Sequence, residues 1–171
     1  MLKAVYIDAD KNYTRIITSD GHRLSLFGDS FDNELDESTY LVVPTDIVKS
    51  LTLKTKSVKF EHVNTDNWLM IADDVRYPFK CLQFKMIDYK RMIPLESLQS
   101  FEVKQYNVTY LNDFYKIVKI LGVINPQNSI HVKYDSEFVT RVRILNYDKY
   151  VGIVAPIKSN DDIGLLDERL L

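Results

Sequence analysis

The feature that most restricts the fold of this 171-residue chain is a recurring alternation of apolar and polar residues with a period of two. Val58, Phe60 and His62, for example, alternate with Lys59 and Glu61. Successive side chains of a β-strand point to opposite faces of its sheet, so each such segment predicts a strand with one buried face. Strands are predicted over 2–8, 13–18, 22–27, 39–43, 58–62, 67–73, 77–84, 99–106, 130–134, 141–144 and 150–157.

Two segments have a helical period instead. Between Tyr110 and Leu121 the apolar residues recur every three or four positions, which places them on one face of a helix. Thr109 is the candidate N-cap of this helix, and Gly122 follows at the point where a helix would stop. A shorter helix is predicted over 46–53, entered through a Pro-Thr pair.

The order of these elements indicates a strand–helix–three-strand unit that occurs twice, with the second copy beginning near Ser97. The repeat rests on the order of the elements, because the two halves share little sequence. Helices lying on one face of largely antiparallel sheets make an α+β protein. The predicted organisation is a first module over residues 1–96, a second module over 97–158 and a C-terminal tail over 159–171.

Composition narrows the possible classes of function. The net charge of −2 argues against a protein that coats nucleic acid non-specifically, because such a protein needs a basic surface. The single cysteine, Cys81, excludes an intrachain disulfide and fits a reducing compartment. No apolar run approaches the roughly 18 residues that span a bilayer, and the first residues lack the pattern of a signal peptide. We therefore expect a cytoplasmic protein without membrane contact.

The sequence contains no recognisable catalytic or metal-binding pattern. His22, His62 and His131 have no spacing that would bring them to one metal ion. A nucleophile elbow, a glycine-rich phosphate loop and a supported pair of catalytic carboxylates are all missing. The sequence therefore predicts a protein with no enzymatic activity, no metal and no cofactor.

Four motifs resemble those of one known family in their order along the chain. Residues 15–24, RIITSDGHRL, resemble the second-domain signature of bacterial sliding clamps, the beta subunits of DNA polymerase III, in which a strand enters a Thr-Asp-Gly-His-Arg-Leu turn. Asp20-Gly21 suits such a turn because glycine tolerates a positive φ. Residues 41–44 (LVVP), 84–94 (FKMIDYKRMIP) and 150–158 (YVGIVAPIK) resemble three further clamp motifs. The resemblance implies the sliding-clamp fold and a role at the replication machinery.

The chain also departs from that family. A clamp subunit has three similar domains, and two subunits close a ring around DNA. This chain resembles part of the second domain followed by the last half of the third, and Ile87 replaces the family's proline. The resemblance therefore implies about half a subunit, rearranged, that cannot build the ordinary ring from two copies.

In clamps, a hydrophobic pocket between the second and third domains captures short peptides of polymerases, the clamp loader and repair proteins. The resemblance implies that residues of three motifs would form the same pocket here, with His22 and Arg23 orienting a ligand's polar groups. The residues carried over are Ser19, Gly21, His22, Arg23, Leu24, Arg91, Met92, Val154, Ala155, Pro156, Ile157 and Lys158. The alternative is that these residues only build strand ends and the packing between the modules.

Charged residues suggest which partners the chain would bind. Lysines near the two predicted helices are few, so binding to duplex DNA should be weak or absent. Five carboxylates in one short stretch are suited to a basic channel, where they would compete with phosphates. They are Asp29, Asp32, Glu34, Asp36 and Glu37.

Two hypotheses about function follow. The first is a protein of the kind that a bacteriophage would encode, which binds the host's sliding clamp or clamp-binding proteins and inhibits replication in the host cytoplasm. The second is a processivity factor for a DNA polymerase, assembled as a ring of short subunits. A homodimer is compatible with the first hypothesis, whereas a closed ring would support the second.

Overall fold

The computed structural model describes residues 4–85, 87–93, 106–122, 130–134, 139–144 and 147–157. These residues contain ten strands and three helices. The strands are β1 (Ala4–Ala9), β2 (Tyr13–Ser19), β3 (Arg23–Ser30), β4 (Thr39–Pro44), β5 (Val58–Asn64), β6 (Asn67–Ala72), β7 (Val75–Lys80), β8 (Ile130–Tyr134), β9 (Thr140–Ile144) and β10 (Tyr147–Val154). The helices are α1 (Thr45–Val48), α2 (Tyr89–Met92) and α3 (Val108–Ile120).

The strands form two antiparallel sheets. The larger sheet has seven strands in the order β4-β1-β2-β3-β10-β9-β8, and the smaller has the order β5-β6-β7. Strands β3 and β10 pair with Arg23 opposite Val154 and Phe27 opposite Tyr150. Strands from both predicted modules therefore belong to one continuous sheet, and the predicted α+β class is confirmed. The predicted boundary at 96/97, Lys158 and the tail 159–171 lie outside the described residues.

Both predicted helices lie on the same face of the seven-stranded sheet. Phe114 of α3 packs with Val142 and Tyr150, and Ile47 of α1 packs with Val43. The registers of β4, β1, β2, β3, β10 and β9 place these strand residues on one face, because alternate residues share a face. The predicted arrangement of the helices is therefore confirmed.

The opposite face carries a second apolar cluster that includes Tyr6, Ile17, Leu24 and Ile153. Helix α2, which the sequence did not predict, covers this cluster with the buried ring of Tyr89. The Tyr89 hydroxyl donates a hydrogen bond of 2.6 Å to Oδ2 of Asp8, itself buried. Burial, followed by this contact with a carboxylate, raises the pKa of Tyr89 far above its usual value.

Several predicted boundaries were wrong for local reasons. The first helix ends at Val48 rather than at residue 53, because side chains beyond it bond to nearby backbone instead. Ser50 Oγ donates to the carbonyl of Ile47 at 2.6 Å, and Thr55 Oγ1 accepts from the N–H of Thr52 at 3.1 Å. The N-cap of α3 is Asn107 rather than Thr109, since its Oδ1 accepts from the Thr109 N–H at 2.9 Å.

The predicted strand over 77–84 ends at Lys80, where the chain leaves β6 and crosses to β4. The N–H of Leu82 donates to the carbonyl of Val42 at 3.1 Å. Cys81 is therefore half-buried beside β4 instead of lying within a strand. Of the predicted strand over 99–106, Tyr106 lies in no strand and the other residues lie outside the described part of the chain.

Candidate functional site

The Asp20-Gly21 turn between β2 and β3 is ordered by its own side chains. Asp20 Oδ1 accepts hydrogen bonds of 3.0 Å from the N–H groups of both His22 and Arg23. Ser19 Oγ donates to the carbonyl of Arg23 at 2.9 Å and accepts from the Gly21 N–H at 3.2 Å. Gly21 has a φ of 90°, which confirms the predicted need for glycine at this position. The turn is thus held in one conformation.

Arg23 connects this turn to α3. Its Nε donates to Asp20 at 2.8 Å, its Nη1 donates to Asp113 of α3, and its guanidinium carbon lies 4.6 Å from the ring centre of Tyr110. The neighbouring ring of His22 stacks on Tyr110 with centroids 6.1 Å apart. The turn therefore presents an imidazole and a guanidinium held against one tyrosine.

Electrostatics reinforce this connection. Partial burial alone would raise the pKa of Asp20, but hydrogen bonds from the backbone of His22 and Arg23 and from the Arg23 guanidinium outweigh it and lower that pKa. The pKa of Asp113 is lowered first by Lys116 and then by Arg23. Both carboxylates therefore remain ionised at neutral pH, and Arg23 stays between two negative charges.

The end of β10 lies beside the same turn. The N–H of Ala155 donates to the carbonyl of His22 at 2.8 Å, one residue beyond the Val154–Arg23 pair. Pro156 and Ile157 follow, and the side chain of Ile157 is about half exposed. We call residues 19–24 and 154–157, together with Tyr110 and Asp113, the strand-end site.

The structure brings the backbones of the first and last predicted motifs together but separates some of their side chains. Leu24 is buried in the cluster under α2, whereas Val154 is buried in the cluster under α3 on the opposite face. From the middle motif, Arg91 pairs with Asp88 at 3.1 Å and is highly exposed, and Met92 is 37 % exposed. Of the residues beside the turn, His22 and Ile157 are exposed, whereas Arg23, Ala155 and Pro156 are partly buried.

Tyr110 and Asp113 were not predicted as members of the site. In the sequence, Tyr110 marks only the beginning of the segment with helical period. The signal available in the sequence was the spacing of three residues between them, which puts both on one side of a helix. That spacing does not identify the arginine they meet.

The acidic stretch divides into two parts. Asp29, on β3, forms an ion pair of 2.6 Å with Lys149 of β10, and this hydrogen bond lowers the pKa of Asp29. The other four carboxylates, Asp32, Glu34, Asp36 and Glu37, are exposed. Asn33 fixes their loop, since its Nδ2 donates to the Asp10 carbonyl at 2.7 Å and to Thr14 Oγ1 at 2.9 Å. The loop therefore presents four carboxylates from a fixed base.

Three lysines on or next to α1 and α3 have local partners. Lys49 pairs with Asp46 at 3.4 Å, and Lys116 pairs with Asp113 at 2.8 Å. Lys119 lies 4.8 Å from the ring centre of Tyr115. Lys54, Lys56 and Lys59 are exposed beyond α1. Of these six lysines, three therefore have a partner within the chain.

Within the described residues, no group of three or more His, Cys, Asp or Glu side chains could hold a metal ion. In the same part of the chain, no helix is both long and apolar enough to cross a membrane.

Comparison with solved structures identifies the architecture. The chain superposes on the DNA polymerase III subunit beta of Pseudomonas aeruginosa with a TM-score of 0.69 at 14 % identity, covering 92 % of this chain and 58 % of that one. The fold is that of the bacterial sliding clamp. The sliding clamp of Bacillus subtilis gives a TM-score of 0.65 at 16 % identity, with 92 % of this chain and 57 % of that one covered. The beta subunit of Thermotoga maritima gives 0.55 at 15 % identity, with 92 % and 58 % covered.

This chain thus spans less than two thirds of the clamp subunits it matches. No protein-family model and no curated protein sequence matches it. The likeness is therefore one of fold, at sequence identities between 14 and 16 % in these three comparisons.

Proposed function

We propose that this chain is a non-enzymatic, clamp-like protein of DNA replication that binds a bacterial sliding clamp, or proteins that bind clamps, and thereby inhibits replication in the host cytoplasm. The sliding-clamp fold supports the replication part of this proposal. The observation that carries the inhibitory part is the distribution of charge. Lys49 beside α1 and Lys116 on α3 pair with carboxylates, whereas four carboxylates are exposed on a loop that Asn33 fixes.

The charge distribution favours a basic protein surface over DNA. Binding to DNA depends on lysine and arginine side chains that neutralise phosphates and so release the counterions held by the DNA. Lys49 and Lys116 already have carboxylate partners within the chain. The loop over 32–37 would be attracted to a basic channel and repelled by phosphates. Because Asp29 is paired with Lys149, we assign the contact to Asp32, Glu34, Asp36 and Glu37.

As part of the same function, we propose that the strand-end site binds short clamp-binding peptides. His22 and Arg23 are pre-organised against Tyr110, so little side-chain entropy would be lost when they bind a ligand. The half-exposed Ile157 adds apolar surface beside them. A clamp-binding peptide titrated into the protein should perturb these residues, and no perturbation at millimolar peptide would rule this part out.

The deciding experiment is co-migration with a purified bacterial sliding clamp on a sizing column, compared with duplex DNA at the same salt. We expect a complex with the clamp and none with DNA. Asp36→Asn/Glu37→Gln should weaken the clamp complex by about three- to tenfold, largely through slower association. The matched control Asp74→Asn/Glu61→Gln removes the same charges from exposed positions elsewhere and should leave binding unchanged.

A second candidate function is a processivity factor, favoured by the three exposed lysines Lys54, Lys56 and Lys59. The two functions predict opposite effects on primed DNA. An inhibitor should shorten the products that a clamp-dependent polymerase makes with its own clamp. If the protein ignored the clamp and lengthened those products, the inhibitor proposal would be wrong and the processivity factor would replace it.

A further inference from the structure

A second candidate site lies on β4, which β1 and β2 separate from the strand-end site. A half-open cleft of about 380 Å³ lies here between β4 and the three-stranded sheet. It is lined by Tyr40 and Val42 of β4, Trp68 of β6, and Leu82 and Phe84 after β7, together with the polar side chains of Thr65 and Gln83 and with Cys81. Tyr40 is 57 % and Phe84 48 % exposed, so two aromatic rings border the opening. A cleft of this volume has room for one large side chain of a ligand.

Backbone groups of an edge strand border this cleft. The N–H and C=O of Val42 point away from β1, because they bond to Cys81 Sγ at 3.4 Å and to the Leu82 N–H at 3.1 Å. In an antiparallel strand, residues two positions apart direct their backbone N–H and C=O groups to the same side. The N–H and C=O of Tyr40 therefore point away from β1 as well. Within the described part of the chain, no backbone group pairs with Tyr40 there. Leu82 thus occupies the position of an added strand at Val42, and Tyr40, two residues earlier in β4, is exposed and borders the open cleft.

Charge determines which peptide would suit this edge. The chain enters β4 from the acidic loop, and Asp36 and Glu37 are exposed immediately before the accessible position. A peptide paired with Tyr40 would pass these carboxylates. Lysine or arginine would therefore be favoured in the part of the peptide that passes Asp36 and Glu37, and acidic residues would be disfavoured there.

We propose that this cleft is a docking site for an extended peptide that adds to the edge of β4, inserts one aromatic side chain between Tyr40, Trp68 and Phe84, and carries a basic residue where it passes Asp36 and Glu37. Main-chain pairing would supply affinity, and the aromatic cleft with its acidic flank would supply specificity. The proposal does not depend on the strand-end site or on binding to a clamp. It adds a second kind of partner, a basic strand-forming segment of another protein.

The chain carries two natural reporters of this cleft. Trp68 is its only tryptophan and Cys81 its only cysteine, and both line the cleft. The probe is acetyl-Lys-Thr-Phe-Thr-Lys-amide, in which alternation places Phe and both Lys on one side of the strand. Binding should shift Trp68 fluorescence to shorter wavelength and slow the reaction of Cys81 with a thiol reagent. The same peptide with Glu in place of Lys should bind at least about tenfold more weakly.

Two phenylalanines provide a matched pair of variants. Phe84 lines the cleft and Phe31 does not, yet their exposed fractions are 48 % and 49 %. Phe84→Ala should weaken peptide binding by about tenfold, whereas Phe31→Ala should leave it unchanged. Because both side chains are half exposed, urea unfolding should show both variants folded. Strand addition can be tested with two N-methylated peptides, one methylated at the amide of Phe and one at the amide of a neighbouring Thr. Neighbouring amides of a strand point to opposite sides, so only the peptide whose methylated amide faces β4 should lose binding.

The possible contrary results are distinct. No response of either reporter at several millimolar peptide, or equal effects of Phe84→Ala and Phe31→Ala, would show that the cleft is not the site. Equal binding of the basic and acidic peptides would refute the charge preference. Full binding by both N-methylated peptides would refute strand addition. If the protein bound the basic peptide but did not bind a sliding clamp, that result would contradict only the function proposed above and not the cleft as a docking site.

Discussion

The contact between α3 and the seven-stranded sheet allows one prediction to be developed in detail. A Cβ placed on Gly152 of β10 would lie 2.5 Å from Cε1 and 2.8 Å from Cδ1 of Phe114. Phe114 is only 1 % exposed and packs among the buried residues under α3, so its ring has little room to move. Gly152→Ala should therefore push α3 away from the sheet. Overpacking of this kind costs about 1–3 kcal/mol, and the double contact with a buried ring places the expectation at about 2–3 kcal/mol.

Gly28→Ala is the matched control. Its added Cβ would lie 2.7 Å from the hydroxyl oxygen of Tyr13, a comparably short distance. That oxygen is the far end of a side chain that is not fully buried, so it can move aside. We expect a loss of less than about 1 kcal/mol in the free energy of unfolding, within the range of tolerated substitutions.

The assay is urea unfolding of the two single variants and of Gly152→Ala combined with Phe114→Leu. Phe114→Leu alone should cost about 1 kcal/mol and should also remove the clash. The double variant should therefore be more stable than the sum of the single effects predicts, by about 1 kcal/mol or more. In thermal unfolding, Gly152→Ala should lower Tm by about 4–12 °C for a chain of this size. Additive effects, or a Gly152→Ala protein as stable as the parent, would refute the proposed packing of α3.

Two further predictions concern local interactions. Asn107→Ala removes the N-cap of α3 and should lower the unfolding free energy by about 1 kcal/mol, whereas Thr109→Ala, which keeps its N–H, should have a smaller effect in the same urea assay. The pKa of Asp20 is lower in the folded state than in the unfolded state, where it is about 4. The ionised carboxylate therefore stabilises the fold above pH 4, and this contribution is lost as the pH falls through the pKa of the folded state. Asp20→Asn should therefore destabilise the protein at pH 7 and flatten the fall in unfolding free energy below pH 4, measured by urea unfolding across pH 3–7; an unchanged acid slope would contradict the role assigned to Asp20.

Much of the fold follows from short-range patterns in the sequence. The alternation of residues along β1 and β9 marks strands because it matches the alternation of buried and exposed side chains. The same holds for α3, whose buried residues Phe114 and Val118 are four positions apart. For β5 the strand was predicted but its buried face was wrong, since Val58 and His62 are exposed and only Phe60 is partly buried. The Asp20-Gly21 turn was predictable since it depends on the side chain of Asp20 and on a positive φ at Gly21.

Local competition explains the errors in the predicted boundaries. Ser50 and Thr55 offer the backbone hydrogen bonds outside the helix, so α1 stops early despite its apolar pattern. Helix α2 has only four residues and shows no period, and a single buried ring, that of Tyr89, holds it on the sheet. Nothing within that segment indicates Asp8, the distant acceptor of its hydroxyl.

The sequence by itself therefore determined the approximate positions of most described strands, the longer helix, the α+β class and the clamp-like turn. Only the tertiary structure decided that β3 pairs with β10, that Arg23 meets Asp113 across 90 positions, and that Asp29 is paired with Lys149 across 120. It also placed Tyr40, Trp68 and Phe84 around one cleft. The physical reason is that periodicity shows which face of a segment is buried but not which other segment buries it. That choice depends on packing summed over the whole chain, and both proposed sites depend on such long-range pairs.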